Sequence, residues 1–347
     1  MTLPTPPIDA ATGDLITHAF AALVSLDTRI AALDPAPAAA LARATDCLEA
    51  AHSVHADGIP ISTHSMATSL AVGGRDLAAT TARVLATARA AGHAARAAAN
   101  RTDHASNTLT QIHQGLLHTT YAVHAGRRRT HASTTSTTSP DQIADRVHAA
   151  ADYATSTWGN PIATAAIVLA DLTITEPYAT GTARAARALL TYLFTAWNIT
   201  STIATPISNN LPDTTTAIEH YRTGNPHPII ALTATAILDS CTRANDLLAD
   251  LQAETAAVTT ALTDLGTRAD SHAWTVAHHL AGSPITTSTA AGAAAGTDRH
   301  SGWNAASKIA DTGMLTQNAT NNTWEAPRIL DLWTRHFPTG TITARTA

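Results

Sequence analysis

The stretch that decides the fold is ITEPYATGTARAARALLTYLFTAW, residues 174–197. It predicts a short loop between an apolar helix ending near residue 174 and an amphipathic helix at 183–196, with Thr182 as the N-cap. A helix start offers backbone N–H groups and the positive end of a dipole. Arg184 and Arg187 are three apart and share one face there. The pattern favours either an oxyanion or phosphate site, or simply two solvated arginines.

Composition restricts the classes of protein to consider. The chain has 347 residues, of which 45% are apolar, enough for two or three domains. Its net charge is −5, which argues against a nucleic-acid partner that covers the whole surface and leaves a local basic patch open. Cys47 and Cys241 have no metal or redox spacing, and the eighteen histidines show no zinc-site pattern, so we expect no metal site.

Targeting signals are not recognisable. The N-terminus has no basic segment followed by an apolar one. The longest apolar stretch, 162–170, is well short of the roughly 20 residues that span a bilayer. We therefore expect a soluble cytoplasmic protein without a membrane partner.

Helical periodicity dominates up to residue 280, because apolar residues recur there at spacings of three and four and alanine is abundant. Predicted helices cover 8–34, 36–55, 66–92, 103–123, 141–157, 161–174, 183–196, 212–222 and 226–264. The stretch 126–140, GRRRTHASTTSTTSP, is predicted to be an exposed polar loop with a solvated arginine run.

The last 70 residues have a different pattern. Helices are predicted at 272–281, 287–295, 299–312 and 327–336, and a hairpin is predicted from Met314 to Glu325. The order of three helices and a two-stranded wing is that of a winged helix. Arg299, His300 and Lys308 on its second-last helix are candidate DNA contacts, although the basic footprint is thin and a role in packing or homodimer formation is equally open.

The decisive stretch resembles the Fic (Fido) family motif, H-P-F-x-(D/E)-G-N-G-R-x-x-R. Further similarities are Pro206-Ile207-Ser208, the run from Tyr221 to Pro228, and the ending Trp324-x-Ala326-Pro327. The resemblance covers roughly residues 100–337. It implies an all-α fold with an N-terminal helical region at 1–95, a Fic-like core at 96–235, a connecting helix at 236–265, a winged-helix module at 266–337 and a tail at 338–347.

The resemblance also implies roles for the motif residues. In the family the histidine is the general base for AMP transfer to a target hydroxyl, the acidic residue holds Mg²⁺, and the loop and arginines cradle the phosphates. Here Glu176 stands at the histidine, Thr180 at the metal-binding acid, and Thr182 and Ala183 at the Asn-Gly pair. The residues that fit the pattern are Pro177 and Tyr178, which pack the loop, and Gly181, Arg184 and Arg187, which with Thr182 would bind phosphate.

These departures predict a catalytically impaired Fic-like protein that acts as a binding or regulatory module. Glutamate is a weaker base than histidine at neutral pH, and Mg²⁺ is doubtful without the acid. ATP or another nucleotide and a protein target remain possible partners. The alternatives are a divergent nucleotidyltransferase with Glu176 as base, and a winged-helix DNA-binding regulator.

Two other family features were compared. The flap that lines target peptides would fall at 126–140, where the chain is polar. Many Fic proteins carry an inhibitory helix, (S/T)-x-x-x-E-(G/N), whose glutamate engages the last motif arginine. The stretch 58–63 lies suitably upstream, with Ser62 at the glutamate position, and no glutamate occurs between Glu49 and Glu176. This absence fits loss of activity or an unregulated enzyme.

Overall fold

The computed structural model describes residues 3, 7–56, 61–72, 105–117, 122–136, 138–155, 160–200 and 214–338. Within these ranges lie thirteen α-helices and three short strands. In chain order they are α1 (Ala10–Ala31), α2 (Pro35–His55), α3 (Thr63–Val72), α4 (Ala105–Leu117), α5 (Ile143–Thr155), α6 (Pro161–Thr175), α7 (Thr182–Ala196), α8 (Thr214–Arg222), α9 (His227–Asp264), α10 (His272–Ala281), β1 (Ile285–Thr286), α11 (Ser288–Ala294), α12 (Arg299–Ala310), β2 (Thr316–Asn318), β3 (Thr323–Glu325) and α13 (Pro327–His336).

Local sequence signals account for several helix starts. The Asn160 side chain accepts a hydrogen bond from Ile162 N at 2.9 Å, and Pro161 occupies the first turn, so α6 begins where the pattern predicts. The helix predicted at 66–92 is described only as Thr63–Val72. The remainder of that prediction, and the Pro206-Ile207-Ser208 similarity, lie outside the described residues.

Helix α6 is the centre of the core. Its run from Ile162 to Asp171 is buried throughout, which explains why the sequence is apolar on every face of this helix. It packs against α5, α7, α8 and α9, and also touches α1. The end of α6 therefore holds the following loop against a rigid support.

Helix α9 connects the predicted regions. It has 38 residues, a length of roughly 57 Å at the rise of an α-helix, and packs against α1, α6, α8, α10 and α13. One hydrophobic cluster extends from Leu3 to Phe337. The proposed boundary between 235 and 236 lies inside this helix, and the domain division stays a prediction.

The C-terminal elements form a small sheet beside three helices. The strand order is β1-β3-β2 with both pairs antiparallel, and Trp324 of β3 pairs with Thr286 and Gln317. The sequence does not predict strand β1, because Ser283-Pro284-Ile285 indicates a helix break there. Helices α11 and α12 cross closely at Gly302, where an added Cβ would lie 2.2 Å from Ser288 O. The winged-helix assignment remains an interpretation of this element order.

Two kinds of feature are missing from the described residues. No helix there is both long and apolar enough to cross a membrane. In the same part of the chain, no group of three or more His, Cys, Asp or Glu side chains is placed to hold a metal ion.

Candidate functional site

The motif loop, residues 176–181, has left-handed backbone at both ends. Glu176 ends α6 with φ 44° and ψ 62°, its N–H donating to Leu172 O at 3.0 Å. Gly181 has φ 75° and precedes α7 without a side-chain cap. The prediction that Thr182 is the N-cap is therefore wrong. Thr182 is the first helical residue, and its hydroxyl donates to Tyr178 O at 3.1 Å and accepts from Tyr178 N at 3.2 Å, which closes the loop on itself.

The carboxylate of Glu176 contacts the flap, residues 126–140. Thr135 Oγ1 donates to Glu176 Oε1 at 2.6 Å, and Ser133 Oγ donates to Glu176 Oε2. Ser136 Oγ donates to the carbonyl oxygen of Ile174 at 2.6 Å. Hydroxyl groups of the flap thus bind both the side chain and the backbone at the end of α6.

Arg129 anchors the flap to the motif loop. Its side chain is 8% exposed. Nε donates to Glu176 O at 2.7 Å, Nη1 to His131 O at 2.9 Å and Nη2 to Thr175 O at 3.1 Å, while the backbone N–H donates to Pro177 O at 3.0 Å. The prediction of a solvated arginine run is therefore wrong for this residue, because the guanidinium satisfies buried carbonyl groups.

His113 of α4 supports the other side of the loop. Gly126 N–H donates to Nδ1 at 3.0 Å, so Nε2 carries the proton and donates to Thr180 O at 2.8 Å. The imidazole stacks on Tyr178 with ring centroids 3.7 Å apart and an angle of 6° between planes. Burial, helped by the charge of Arg184, lowers the pKa of His113, which favours the neutral ring. Burial raises the pKa of Tyr178.

The two motif arginines have different surroundings. Arg184 is 9% exposed, and its Nη2 lies 3.7 Å from the Cβ that would be added at Gly181. Arg187 is half-buried and donates to the end of α2, from Nε to Ser53 Oγ at 3.0 Å and from Nη2 to Ser53 O at 2.6 Å. Their predicted role as a phosphate clamp stays a prediction, and it would require Arg187 to exchange these bonds for a ligand.

The contact between Arg187 and Ser53 revises the inhibitory-helix comparison. Residues 53–58 read Ser-x-x-x-Asp-Gly, which matches the inhibitory pattern with Asp57 in place of glutamate. Asp57 lies outside the described residues. Ser62, which the comparison had placed at the glutamate position, instead accepts from Ser65 N at 3.0 Å at the start of α3. A search that allowed aspartate would have found this stretch.

The candidate DNA contacts lie far along the chain, on α12. Arg299, His300 and Lys308 are all exposed. Trp303 on the same helix is 43% exposed and meets Trp324 edge-on, with centroids 6.3 Å apart. These side chains are accessible on one helix, and their contact with DNA stays a prediction.

The chain is similar to known proteins in structure. No protein-family model and no curated protein sequence matches the chain. A Fic family protein from Desulfovibrio desulfuricans matches with a TM-score of 0.55 and 15% identity over 93% of this chain and 98% of that one. Fic-1 from C. elegans matches with a TM-score of 0.54 and 18% identity over 67% and 72% of the two chains. The chain has the Fic fold.

A third Fic structure supports the assignment. A Fic domain containing signaling protein from Bacteroides thetaiotaomicron matches with a TM-score of 0.52 and 15% identity over 65% of this chain and 96% of that one. The predicted all-α Fic fold is confirmed. Similarity of 15–18% identity shows the fold alone. Functional roles therefore stay predictions for Glu176, Gly181, Thr182, Arg184 and Arg187.

Three residues that contact the motif loop or the helix after it are missed by the sequence reasoning. Residue type alone predicts a solvated side chain for Arg129 and assigns no role to His113. Their partners are backbone carbonyl and N–H groups brought together by tertiary packing, and no motif in the sequence marks them. Ser53 alone had a local signal.

Proposed function

We propose that this Fic-fold chain is a catalytically impaired binding or regulatory module. The observation that carries the proposal is the contact between the flap and the motif loop. Both carboxylate oxygens of Glu176 accept hydrogen bonds from hydroxyl groups of the flap. In the proposed alignment Glu176 takes the place of the family's histidine. An external hydroxyl must displace Ser133 or Thr135 before it can reach this carboxylate.

The surroundings of the loop also disfavour metal-assisted chemistry. Thr180 offers a neutral hydroxyl where the family has an acid, and its carbonyl oxygen already accepts from His113. Mg²⁺ prefers carboxylate ligands and substrate phosphates. The residues of the motif loop therefore do not provide the acidic ligand with which the family motif holds Mg²⁺. Arg184 and Arg187 would still provide positive charge for a nucleotide or another anion.

A labelling experiment tests this proposal. The purified chain is incubated with ATP labelled at the α-phosphate, with Mg²⁺ or Mn²⁺, and with a cell lysate as the source of targets. We expect no transfer above that of the Arg184→Ala variant. Labelling that is robust in the wild type and lost in Arg184→Ala would contradict the proposal.

A second candidate is a divergent nucleotidyltransferase, favoured by the same hydrogen bonds. A carboxylate within 2.6 Å of a hydroxyl is the arrangement of a general base and its nucleophile. Thr135 Oγ1 would form the new bond to the α-phosphorus of ATP, pyrophosphate would leave, and the proton would pass to Glu176. Mass spectrometry of the chain after incubation with ATP should then find AMP on Thr135 or Ser133, and Glu176→Gln should abolish it. Persistence of the adduct in Glu176→Gln would rule out this role of Glu176.

A third candidate is DNA binding through α12, favoured by the exposed Arg299, His300 and Lys308. Phosphate contacts make such binding weaker as salt increases. Mobility shifts of a duplex DNA should then decline with added salt and with Arg299→Ala. Binding that ignores both changes would contradict this candidate.

A further inference from the structure

A cavity of about 300 Å³ lies between helices α2 and α3 and the C-terminal elements α10, β1 and α13. None of its lining residues belongs to the motif loop or the flap. Its walls are mainly apolar, and its volume is at the lower end of the range for small-molecule sites. The apolar lining comprises Ala67, Leu70, Ala71, Pro284, Ile285, Ala290 and Trp333.

Three nitrogen atoms of the cavity lining are buried without a hydrogen-bond partner. They are Nε of Arg43, Nε2 of His279 and Nε1 of Trp333, the last in a side chain that is 0% exposed. Buried polar groups in folded proteins nearly always have a partner, since an unsatisfied one is costly. Of the three residues, Arg43 and His279 are only partly buried, so their side chains can meet a ligand with hydrogen-bonding oxygens at the cavity.

The charges around the cavity restrict the ligand. Arg43 supplies a guanidinium, which binds carboxylates through paired N–H groups. Burial and the Arg43 charge lower the pKa of His279 to about 4, so this imidazole is neutral near pH 7 and can donate or accept. Asp46 also lines the cavity, and its negative charge disfavours a dianion.

We propose that this cavity binds a small organic monocarboxylate with a compact apolar body. The carboxylate lies against the guanidinium of Arg43, and the apolar body fills the space between α3 and β1. The site joins an N-terminal helix to the C-terminal elements and is independent of any chemistry at the motif loop.

The side of the cavity formed by Gly282 is closely packed. A Cβ added at Gly282 would lie 2.5 Å from Ala40 O and 2.7 Å from Ala40 Cα, so α2 and the end of α10 are in backbone contact there. A ligand therefore meets a preformed wall on this side of the cavity.

Calorimetric titration with benzoate, hexanoate, benzamide and inorganic phosphate tests the site. We expect saturable one-to-one binding of at least one carboxylate, with benzamide and phosphate bound much more weakly. Arg43→Met should weaken carboxylate binding at least about tenfold, because a charge-assisted pair is lost. The control is Arg268→Met, whose side chain is 86% exposed and contacts Asp270, and it should bind like the wild type.

A second variant tests the contribution of the cavity volume separately from that of the Arg43 charge. Ala290→Leu leaves Arg43 intact and fills the space, so it should weaken binding of each carboxylate that the wild type binds, with circular dichroism confirming that each variant is folded. The proposal would be overturned if neither carboxylate bound saturably, if Arg43→Met bound as tightly as the wild type, or if phosphate bound as tightly as benzoate.

Discussion

Thr135 Oγ1 lies 2.6 Å from Glu176 Oε1, so a hydroxyl of the flap already donates a hydrogen bond to this carboxylate. Glu176 reaches this position from a left-handed backbone, with φ 44°, a conformation that most side chains avoid. Ser133 contacts the other carboxylate oxygen. The flap and the motif loop therefore form one hydrogen-bonded unit.

The pair of Thr135 and Glu176 should be energetically coupled. In a double-mutant cycle of Thr135→Val and Glu176→Gln, measured by urea unfolding, we expect a coupling energy of about 1 kcal/mol. The exposed neighbour Thr134, changed to valine, serves as control and should show none. A zero coupling for Thr135 would mean that the contact is not maintained in solution.

Replacement of Arg129 should detach the flap. Arg129→Met removes several hydrogen bonds to backbone carbonyls of residues 131–138 and 175–176, and should lower the free energy of unfolding by about 3 kcal/mol. Arg127→Met, two residues away and exposed, should change it by less than about 0.5 kcal/mol. Limited proteolysis should cut the flap faster only in Arg129→Met, and equal cutting in both variants would contradict the anchoring role.

The close crossing of α11 and α12 should not tolerate a methyl group. Gly302→Ala places a Cβ 2.2 Å from Ser288 O and should destabilise the fold by about 1–3 kcal/mol. The matched control is Gly13→Ala in α1, where the nearest atom is Ile8 Cγ2 at 3.9 Å. This change should stabilise by about 0.5–1 kcal/mol. Thermal unfolding should show a lower unfolding temperature for Gly302→Ala and a higher one for Gly13→Ala. An unchanged or higher unfolding temperature for Gly302→Ala would contradict the close crossing.

Stability should increase with pH in the acidic range. Burial first, and the nearby His55, lower the pKa of His52 to about 3, and burial lowers that of His279 to about 4. Since the unfolded value is about 6.5, the unfolded chain binds more protons below it, and the free energy of unfolding falls as pH drops from about 6.5 to 4. His52→Leu should flatten this dependence and the exposed His272→Leu should not, as measured by urea unfolding across that range. If the free energy of unfolding of His52→Leu changed with pH as steeply as that of the wild type, the role of His52 would be contradicted.

The sequence predicted the helices well and the surroundings of the loop poorly. The ends of α6 follow from Asn160, Pro161 and an uninterrupted apolar run, all local signals. Strand β1 has two residues and exists only because β3 pairs with it, which no local pattern reveals. The same is true of Arg129, whose burial depends on carbonyl groups nearly fifty residues away. Local sequence signals predict helices. The pairing of β1 and the burial of Arg129 depend on packing between elements that are distant in the sequence.

The most direct test of the impaired-loop account is calorimetric titration of ATP with and without Mg²⁺. In the proposed alignment Thr180 takes the place of the family's metal-binding acid. We therefore predict that Mg²⁺ leaves the ATP affinity within about twofold of its metal-free value, whether binding is measurable or undetectable in both. A tenfold or greater strengthening of ATP binding by Mg²⁺ would contradict the account, because it would show a functional metal site at the loop.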